Sequence, residues 1–255
     1  MTIATTAQPP PDPSRTKRRR HRALTIVGVL TTSSLVAFGA LNLLDLAASH
    51  SFIIRARYAG ITALVIDSGS GSVRLARAPA GSQLSVTERV DEGLSKPRRE
   101  ALRSAGGVLR LKTRCGQLPH CGVSYDIAVP KGVAVNARSA AGTVTADGLT
   151  TGRSLHLHSG ASNVTARRIS APIVDVSSDS GTVSAQLTNP AQTLSASSGE
   201  GDVRLRVPNI SYAVNARAPA GTVSDHSLRT DPRATHTITA TSAAGNVTIT
   251  LNRGG

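Results

Sequence analysis

The chain holds no Trp, two Phe and three Tyr among 255 residues. A core built around large rings is thereby excluded, and Val, Ile, Leu and Ala must fill the interior in thin layers. Cys is nearly absent as well, with two in the whole chain. Cys115 and Cys121 flank His120, which leaves too few ligands for a Cys-His metal site. No H-E-x-x-H, no G-x-S-x-G, no P-loop and no calcium-binding nonapeptide repeat occurs. Acidic residues are scarce: 15 Asp and Glu face 29 Lys and Arg, giving +14 and a pI near 11.3. A surface of that sign favours polyanions, namely acidic lipid, anionic wall polymer or nucleic acid. The missing aromatic interleaving argues against nucleic acid.

What is present begins with a polar, Pro-rich tail, MTIATTAQPPPDPS, followed by the basic run RTKRRRHR. Then comes ALTIVGVLTTSSLVAFGALNLL, residues 23–44, without a charge. A helix of that length reaches ~33 Å, enough for a hydrocarbon layer of ~30 Å. The basic run before it places the N-terminus in the cytoplasm and the rest outside. A cleaved signal peptide is the rival reading, but its apolar stretch would be unusually long. No Cys lies near the span, which excludes a lipoprotein. The expected organisation is a cytoplasmic tail over 1–22, a single-pass transmembrane helix over 23–48 and an extracytoplasmic domain over 49–255. That domain keeps 23 of the Lys and Arg and 13 of the acids, so it is basic in its own right.

The domain repeats itself. VNARSAAGTV ends at Val144 and VNARAPAGTV at Val223. Seven segments share the frame apolar-x-apolar-x-Ser-x-x-Gly-x-Val, ending at Val73, Val144, Val164, Val183, Val203, Val223 and Val247. The Gly position holds Gly71, Gly142, Gly181, Gly201, Gly221 and Gly245, with Ser162 as the exception. The two apolar positions alternate and so face one side of a short strand. The Ser is expected to hydrogen-bond the turn, the Gly to supply backbone freedom at the corner, and the Val to re-enter the interior. One unit of ~20 residues buries too little to offset ~1.5 kcal/mol of ordering entropy per residue, so units must stack. The expected fold is all-β: a parallel β-solenoid, single-stranded and β-helix-like, with coils of about 20 residues. The valines form its core and the glycines its corners.

The stretch CGVSYDIAVPKGVAVNARSAAGTVTADGL, residues 121–149, leads into the Ser-x-x-Gly-x-Val series up to Val247. With its C-x-V-x-Y-x-I-x-V-P run (Cys121, Val123, Tyr125, Ile127, Val129, Pro130), the region 60–251 resembles a bacterial adhesin-labelled domain family of unknown function. That family is a β-solenoid group related to toastrack-type envelope domains. The resemblance implies a membrane-tethered, extracytoplasmic β-solenoid. It offers no catalytic residues to carry over, so it implies no enzyme.

Between Val73 and Val144 the rhythm breaks: residues 90–107 are expected to be loop-like with a helical turn over 98–103, VLRLKTRC and VSYDIAVP on either side are expected to be strands, and the insertion near 88–120 is expected to shield the early coils. Outside the membrane, Cys115 and Cys121 are expected to form a disulfide, with free thiols as the alternative.

Candidate chemistry is thin, and neither a catalytic centre, a cofactor nor a metal is expected. His156 and His158 alternate with Leu155 and Leu157 and point outward together without an obvious third ligand. Asp179, Glu200 and Asp202 fall near one corner of adjacent coils, at spacings that polysaccharide-acting enzymes use. An exposed corner supplies neither a cleft nor a perturbed pKa. Arg167, Arg168, Arg204, Arg206, Arg217 and Arg229 lie on or beside successive strands, where they could form a basic stripe for a repeating polyanion. The triplets starting at Asn163, Asn209 and Asn246 match the N-glycosylation pattern, which a Ser/Thr-rich repeat generates cheaply. The first functional expectation is a non-enzymatic, adhesin-like binding module of the cell envelope, contacting anionic wall polymer or a partner protein. An envelope-stress accessory and a polysaccharide-acting enzyme are the alternatives. The final coil has no obvious cap, so its open edge could pair with a second copy.

Overall fold

The structure is a computed structural model, and it describes residues 49–104, 106–116, 121–225 and 228–252. The expected tail, basic run and apolar span lie outside the described residues. Among the described residues there is no helix, hence none long and apolar enough to cross a membrane.

The first strands are β1 (His50–Tyr58), β2 (Ala63–Ser68), β3 (Val73–Arg77), β4 (Leu84–Glu92), β5 (Arg98–Arg103), β6 (Val108–Arg114) and β7 (Cys121–Val129). Then follow β8 (Ala134–Ser139), β9 (Val144–Asp147), β10 (Ser154–Ser159), β11 (Val164–Ile169), β12 (Ile173–Ser178), β13 (Val183–Leu187) and β14 (Thr193–Ser198). The last are β15 (Val203–Val207), β16 (Ser211–Arg217), β17 (Val223–Ser224), β18 (Arg229–Thr230), β19 (Thr237–Ser242) and β20 (Val247–Leu251). They form two ten-stranded sheets. Sheet I runs β1-β4-β7-β3-β9-β11-β13-β15-β20-β17, and sheet II runs β18-β16-β19-β14-β12-β10-β8-β2-β6-β5. Each coil gives one strand to sheet II, turns at the Ser-x-x-Gly corner, and gives the next strand to sheet I. From β7 through β17, and from β18 through β6, all neighbours pair in parallel, the arrangement of a β-solenoid. Among the described residues, antiparallel pairs occur only where β1, β4 and β7 meet and where β5 meets β6.

The repeat frame becomes register. Val164 pairs with Val144 on one side and Val183 on the other, and Val203 pairs with Val183 and Val247. Val73, Val144, Val164, Val183, Val203 and Val247 are fully buried in one core with the alternating apolar residues of sheet II, such as Leu155, Leu157, Val174 and Val176. Val223 departs from the expectation. It pairs with Val247 but is 37% exposed, because β17 ends sheet I.

Chain order and spatial order part at both ends. The coil written first, β2 and β3, lies between β6 and β7 on one side and β8 and β9 on the other. The coil written last, β19 and β20, lies inside the coil of β16 and β17. The expected open edge at the C-terminus is therefore wrong: the final coil is sandwiched, and the coil carrying VNARAPAGTV takes the end. That coil has Ala218 where its relatives have Ser, and Pro219 beside it, which suits an edge that no further coil must match.

The strand expected over VLRLKTRC is β6, whereas the stretch 90–107 is only partly loop-like, since β4 ends and β5 lies within it. Its helical turn over 98–103 is instead strand β5, antiparallel to β6, and β6 continues sheet II in register with β2 (Leu64 with Leu109, Ile66 with Leu111, Ser68 with Thr113). On the other sheet Tyr125 occupies the place of a repeat valine, opposite Val73. Residues 108–129 are thus an eighth coil with a long corner, and a disulfide between Cys115 and Cys121 closes that corner, with Cα atoms 5.6 Å apart.

Candidate ligand-binding face

The corners are built by one recurring contact. Ser139 Oγ donates to the Gly71 carbonyl at 3.0 Å, Ser159 to Gly142 at 2.9 Å, Ser178 to Ser162 at 2.7 Å and Ser242 to Gly201 at 2.7 Å. Each hydroxyl, buried in the turn, reaches a main-chain oxygen of the neighbouring coil. Ser139 and Ser159 also accept from the N–H of Gly142 and Ser162 in their own turns, as expected for a turn serine. The glycines have a different reason from the expected one. Of the six glycines of the repeat frame, only Gly71 and Gly201 use the expected backbone freedom, with left-handed φ of 117° and 143°. At Gly142, Gly181, Gly221 and Gly245, a Cβ would stand 1.9, 2.5, 2.1 and 2.4 Å from the carbonyl oxygen of the adjacent coil. Those positions need room rather than freedom. The outer side of the corner forms a second ladder: Asn163 Oδ1 accepts from Thr182 N–H, Asp202 Oδ1 from Asn246 N–H and Asn246 Oδ1 from Thr222 N–H. Two of the three glycosylation-like asparagines are therefore engaged with the neighbouring coil's backbone.

With the interior apolar and the corners engaged in backbone contacts, the side chains not used in building the stack lie on the outward faces. Strict alternation puts two columns of polar side chains on sheet II. One runs Asn136, His156, Asp175, Ser195, Thr239, Asn215; the other runs Arg138, His158, Ser177, Ser197, Thr241, Arg217. Successive members sit one strand apart, ~4.8 Å. His156 and His158 do point outward together. His156 Nδ1 lies 3.6 Å from an Asp175 oxygen, His158 Nε2 lies 3.8 Å from an Asp179 oxygen, and His158 Nδ1 is 3.0 Å from Ser177 Oγ. With Asn136, Arg138 and Leu157 they line an open groove of about 380 Å³. Towards β5 the second column continues as Asp67, Lys112 and Glu100, so charges alternate in sign across four strands up to Arg138. The Lys112 amine lies 3.6 Å from Asp67. Lys112 escaped the sequence reading because β6 was not recognised as a coil strand, and Asp67 and Arg138 because alternation does not say which strands lie side by side. The signal was there, since Leu109, Leu111 and Thr113 follow the apolar-x-apolar-x-Ser frame.

The six arginines expected to form one stripe are divided. Arg167 and Arg168 sit on β11 and Arg204 and Arg206 on β15, both in sheet I, while Arg217 and Arg229 belong to sheet II. Between β11 and β15 runs β13 with neutral Ser184 and Gln186. Arg168 occupies a bulge with φ of 52° and is paired with Asp147; Arg204 is paired with Asp202. Asp179, Glu200 and Asp202 do share a corner, where the Glu200 N–H donates to the Asp179 carbonyl. Asp202 is held by Asn246 and Arg204. Among the described residues no group of three or more His, Cys, Asp or Glu could hold a metal ion.

Solved structures with a similar course of chain include a candidate cell adhesion protein of Clostridium sporogenes, 12% identical, covering 80% of this chain and 100% of its own, with a TM-score of 0.48. A candidate adhesin of Parabacteroides distasonis is 14% identical over 80% of this chain and 97% of its own, with a TM-score of 0.37. One of Bacteroides fragilis is 10% identical with the same coverages and a TM-score of 0.32. No curated protein matches. The Toastrack DUF4097 profile matches residues 47–254, the whole of the stack just described, and the chain belongs to that family.

Proposed function

We propose that this chain is a non-enzymatic, adhesin-like binding module of the cell envelope, held by residues 23–44 as a single-pass anchor, and that the outward face of sheet II binds an anionic wall polymer. The observation that carries the reading is the pair of polar columns on that face, one hydrogen-bonding side chain per coil in each. A polymer repeats along its length, and a ladder of equally spaced amides, hydroxyls and imidazoles offers it many weak, additive contacts instead of one deep pocket. Arg138 and Arg217 stand in one column, and the surplus of Lys and Arg over acids extends across the domain, which favours a negatively charged polymer over a neutral one. The corner acids support no hydrolytic reading: Asp202 is engaged by Asn246 and Arg204, and Asp179 is exposed beside His158.

The test is co-sedimentation of the intact, detergent-solubilised protein with isolated wall sacculi, before and after their anionic polymers are stripped. Binding is expected to need those polymers, to weaken at high salt, and to drop several-fold in Arg138→Glu and in the double variant His156→Ala/His158→Ala. Equal binding to stripped sacculi, or release of soluble glycan by the wild-type chain, would sink the proposal.

A further inference from the structure

We infer that the β1/β5 end of the stack is a lipid-docking surface, which seats the domain on an anionic bilayer. This deepens the envelope reading above, in which residues 23–44 cross that bilayer. β1 and β5 are the outermost strands of sheets I and II. Together they carry five arginines, Arg55, Arg57, Arg98, Arg99 and Arg103, against one acid, Glu100. Arg99 and Arg103 knit the end together. Arg99 pairs with Glu88 at 3.0 Å and its guanidinium lies 5.8 Å from the Phe52 ring centre, while Arg103 donates to the Ala59 carbonyl at 2.7 Å. Arg55, Arg57 and Arg98 remain exposed.

The same end gathers apolar surface. Among the described residues six large hydrophobic side chains are exposed, and four of them, Phe52, Ile53, Leu94 and Leu102, belong to β1, β5 or the loop leading into β5. Leu102 is 61% exposed. The opposite end offers Val223 alone, and there Asp225 and Asp231 offset Arg217, Arg229 and Arg233. Ile53, Arg55 and Arg57 alternate on the outward side of sheet I and Arg98 and Leu102 on that of sheet II, so the rim joins exposed apolar side chains to a cationic surplus over Glu88, Asp91, Glu92 and Glu100, the two signals that peripheral lipid binding requires. A second copy fits less well, since a two-fold contact would set these arginines against their own counterparts. The chain's course agrees. Residues 45–49 alone separate Leu44 from β1, and five extended residues with their flanking bonds reach no more than ~20 Å.

The chain lacks Trp, so a single introduced Trp is a unique reporter. The full chain, as Leu102→Trp, is reconstituted into phosphatidylcholine vesicles with or without phosphatidylglycerol, using acyl-brominated lipid as quencher. Quenching of about twofold or more is expected with phosphatidylglycerol, for Leu102→Trp and for Ile53→Trp as a second probe, and none for Val223→Trp at the far end. Adding Arg55→Glu and Arg57→Glu should abolish it. The proposal is overturned if both end probes stay unquenched with phosphatidylglycerol, if Val223→Trp is quenched equally, or if the charge reversals change nothing. Alkaline flotation decides the anchor separately. Should it fail, the same chain added to preformed vesicles still decides the docking, because the end face requires no span to bind.

Discussion

The Ser198 hydroxyl donates to the Gly181 carbonyl at 2.8 Å, and a Cβ on Gly201 would stand 2.7 Å from that same oxygen. One carbonyl thus explains both fixed columns of the repeat: it requires a donor from the next coil's Ser position and an absence of side chain at the next coil's Gly position. Coils impose the condition on their successors, with Ser162 at the Gly position and Ala218 at the Ser position as the exceptions. The Ser-x-x-Gly spacing is therefore a rule about neighbouring coils rather than about a turn in isolation.

Breaking either half should destabilise the stack, by different routes. Ser198→Ala leaves a buried carbonyl without its side-chain donor and should cost ~1–3 kcal/mol. Gly142→Ala forces a methyl into the Gly71 carbonyl and should cost about 3 kcal/mol or more, since backbone must move. Gly106, which has open space around it, is the control, and its Ala variant should stay within ~0.5 kcal/mol of wild type. Urea unfolding of the three variants checks the ranking.

The coils ending at Val203 and Val223 share the repeat frame and differ in place. Val203 has a coil on either side and is fully buried, whereas Val223 has a coil on one side only. Val203→Ala should cost ~2 kcal/mol or more by opening a cavity between coils, and Val223→Ala less than ~1 kcal/mol. Equal losses in thermal melts would contradict the spatial order in which the last-written coil lies inside the one before it.

That order shows where the sequence was legible and where it was not. Stacking, period, the buried valines and the alternating sheet II positions follow from local patterns such as Leu155-x-Leu157, because a strand's faces are fixed by its own alternation. Which coil lies beside which is not local. β20 and β17 both satisfy the same cross-section, and the frame is silent on whether chain order is kept. Ala218 in place of Ser was the one mark of an end coil. Thr113 and Tyr125 hid the eighth coil for the opposite reason: Thr fills the Ser position and Tyr the Val position, and a long corner separates them. The columns around His156 and His158 were half visible, since alternation placed those side chains outward but said nothing of Asp175, Asp179 or Arg138 arriving from other strands.

The long corner leads to a redox prediction. The bond between Cys115 and Cys121 closes a loop of a few residues just before β7, the strand that links the antiparallel end to the parallel stack. Chain entropy for so short a loop amounts to about 2 kcal/mol. Cys115→Ser/Cys121→Ser should lower stability by roughly that amount, and native-state hydrogen exchange should quicken in β4, β6 and β7. Protection in β12 through β15 should be retained. Uniform loss along the stack would show that the corner fastens the whole solenoid and not the coil of β6 and β7 alone.

Tyr125 ties this end of the core to alkaline pH. Burial pushes its phenol up to about 12; the hydrogen bond with Thr113 and the charge of Arg99 pull the other way, and Glu88 adds to the rise. Burial likewise raises Tyr212, whose hydroxyl donates to the Pro208 carbonyl, to about 12. An unfolded tyrosine loses its proton near 10. Below pH 10 both states keep the proton and the folded state holds its full advantage. Between pH 10 and 12 the unfolded chain ionises first, so stability falls as pH rises, by up to ~1.4 kcal/mol per pH unit for each tyrosine. Tyr125→Phe should be less stable at neutral pH, by ~1–3 kcal/mol, because the buried Thr113 hydroxyl loses its partner. The same variant should show a shallower decline above pH 10. Urea midpoints measured from neutral to alkaline pH give both quantities, and a Tyr125→Phe curve parallel to wild type above pH 10 would place the titrating group elsewhere.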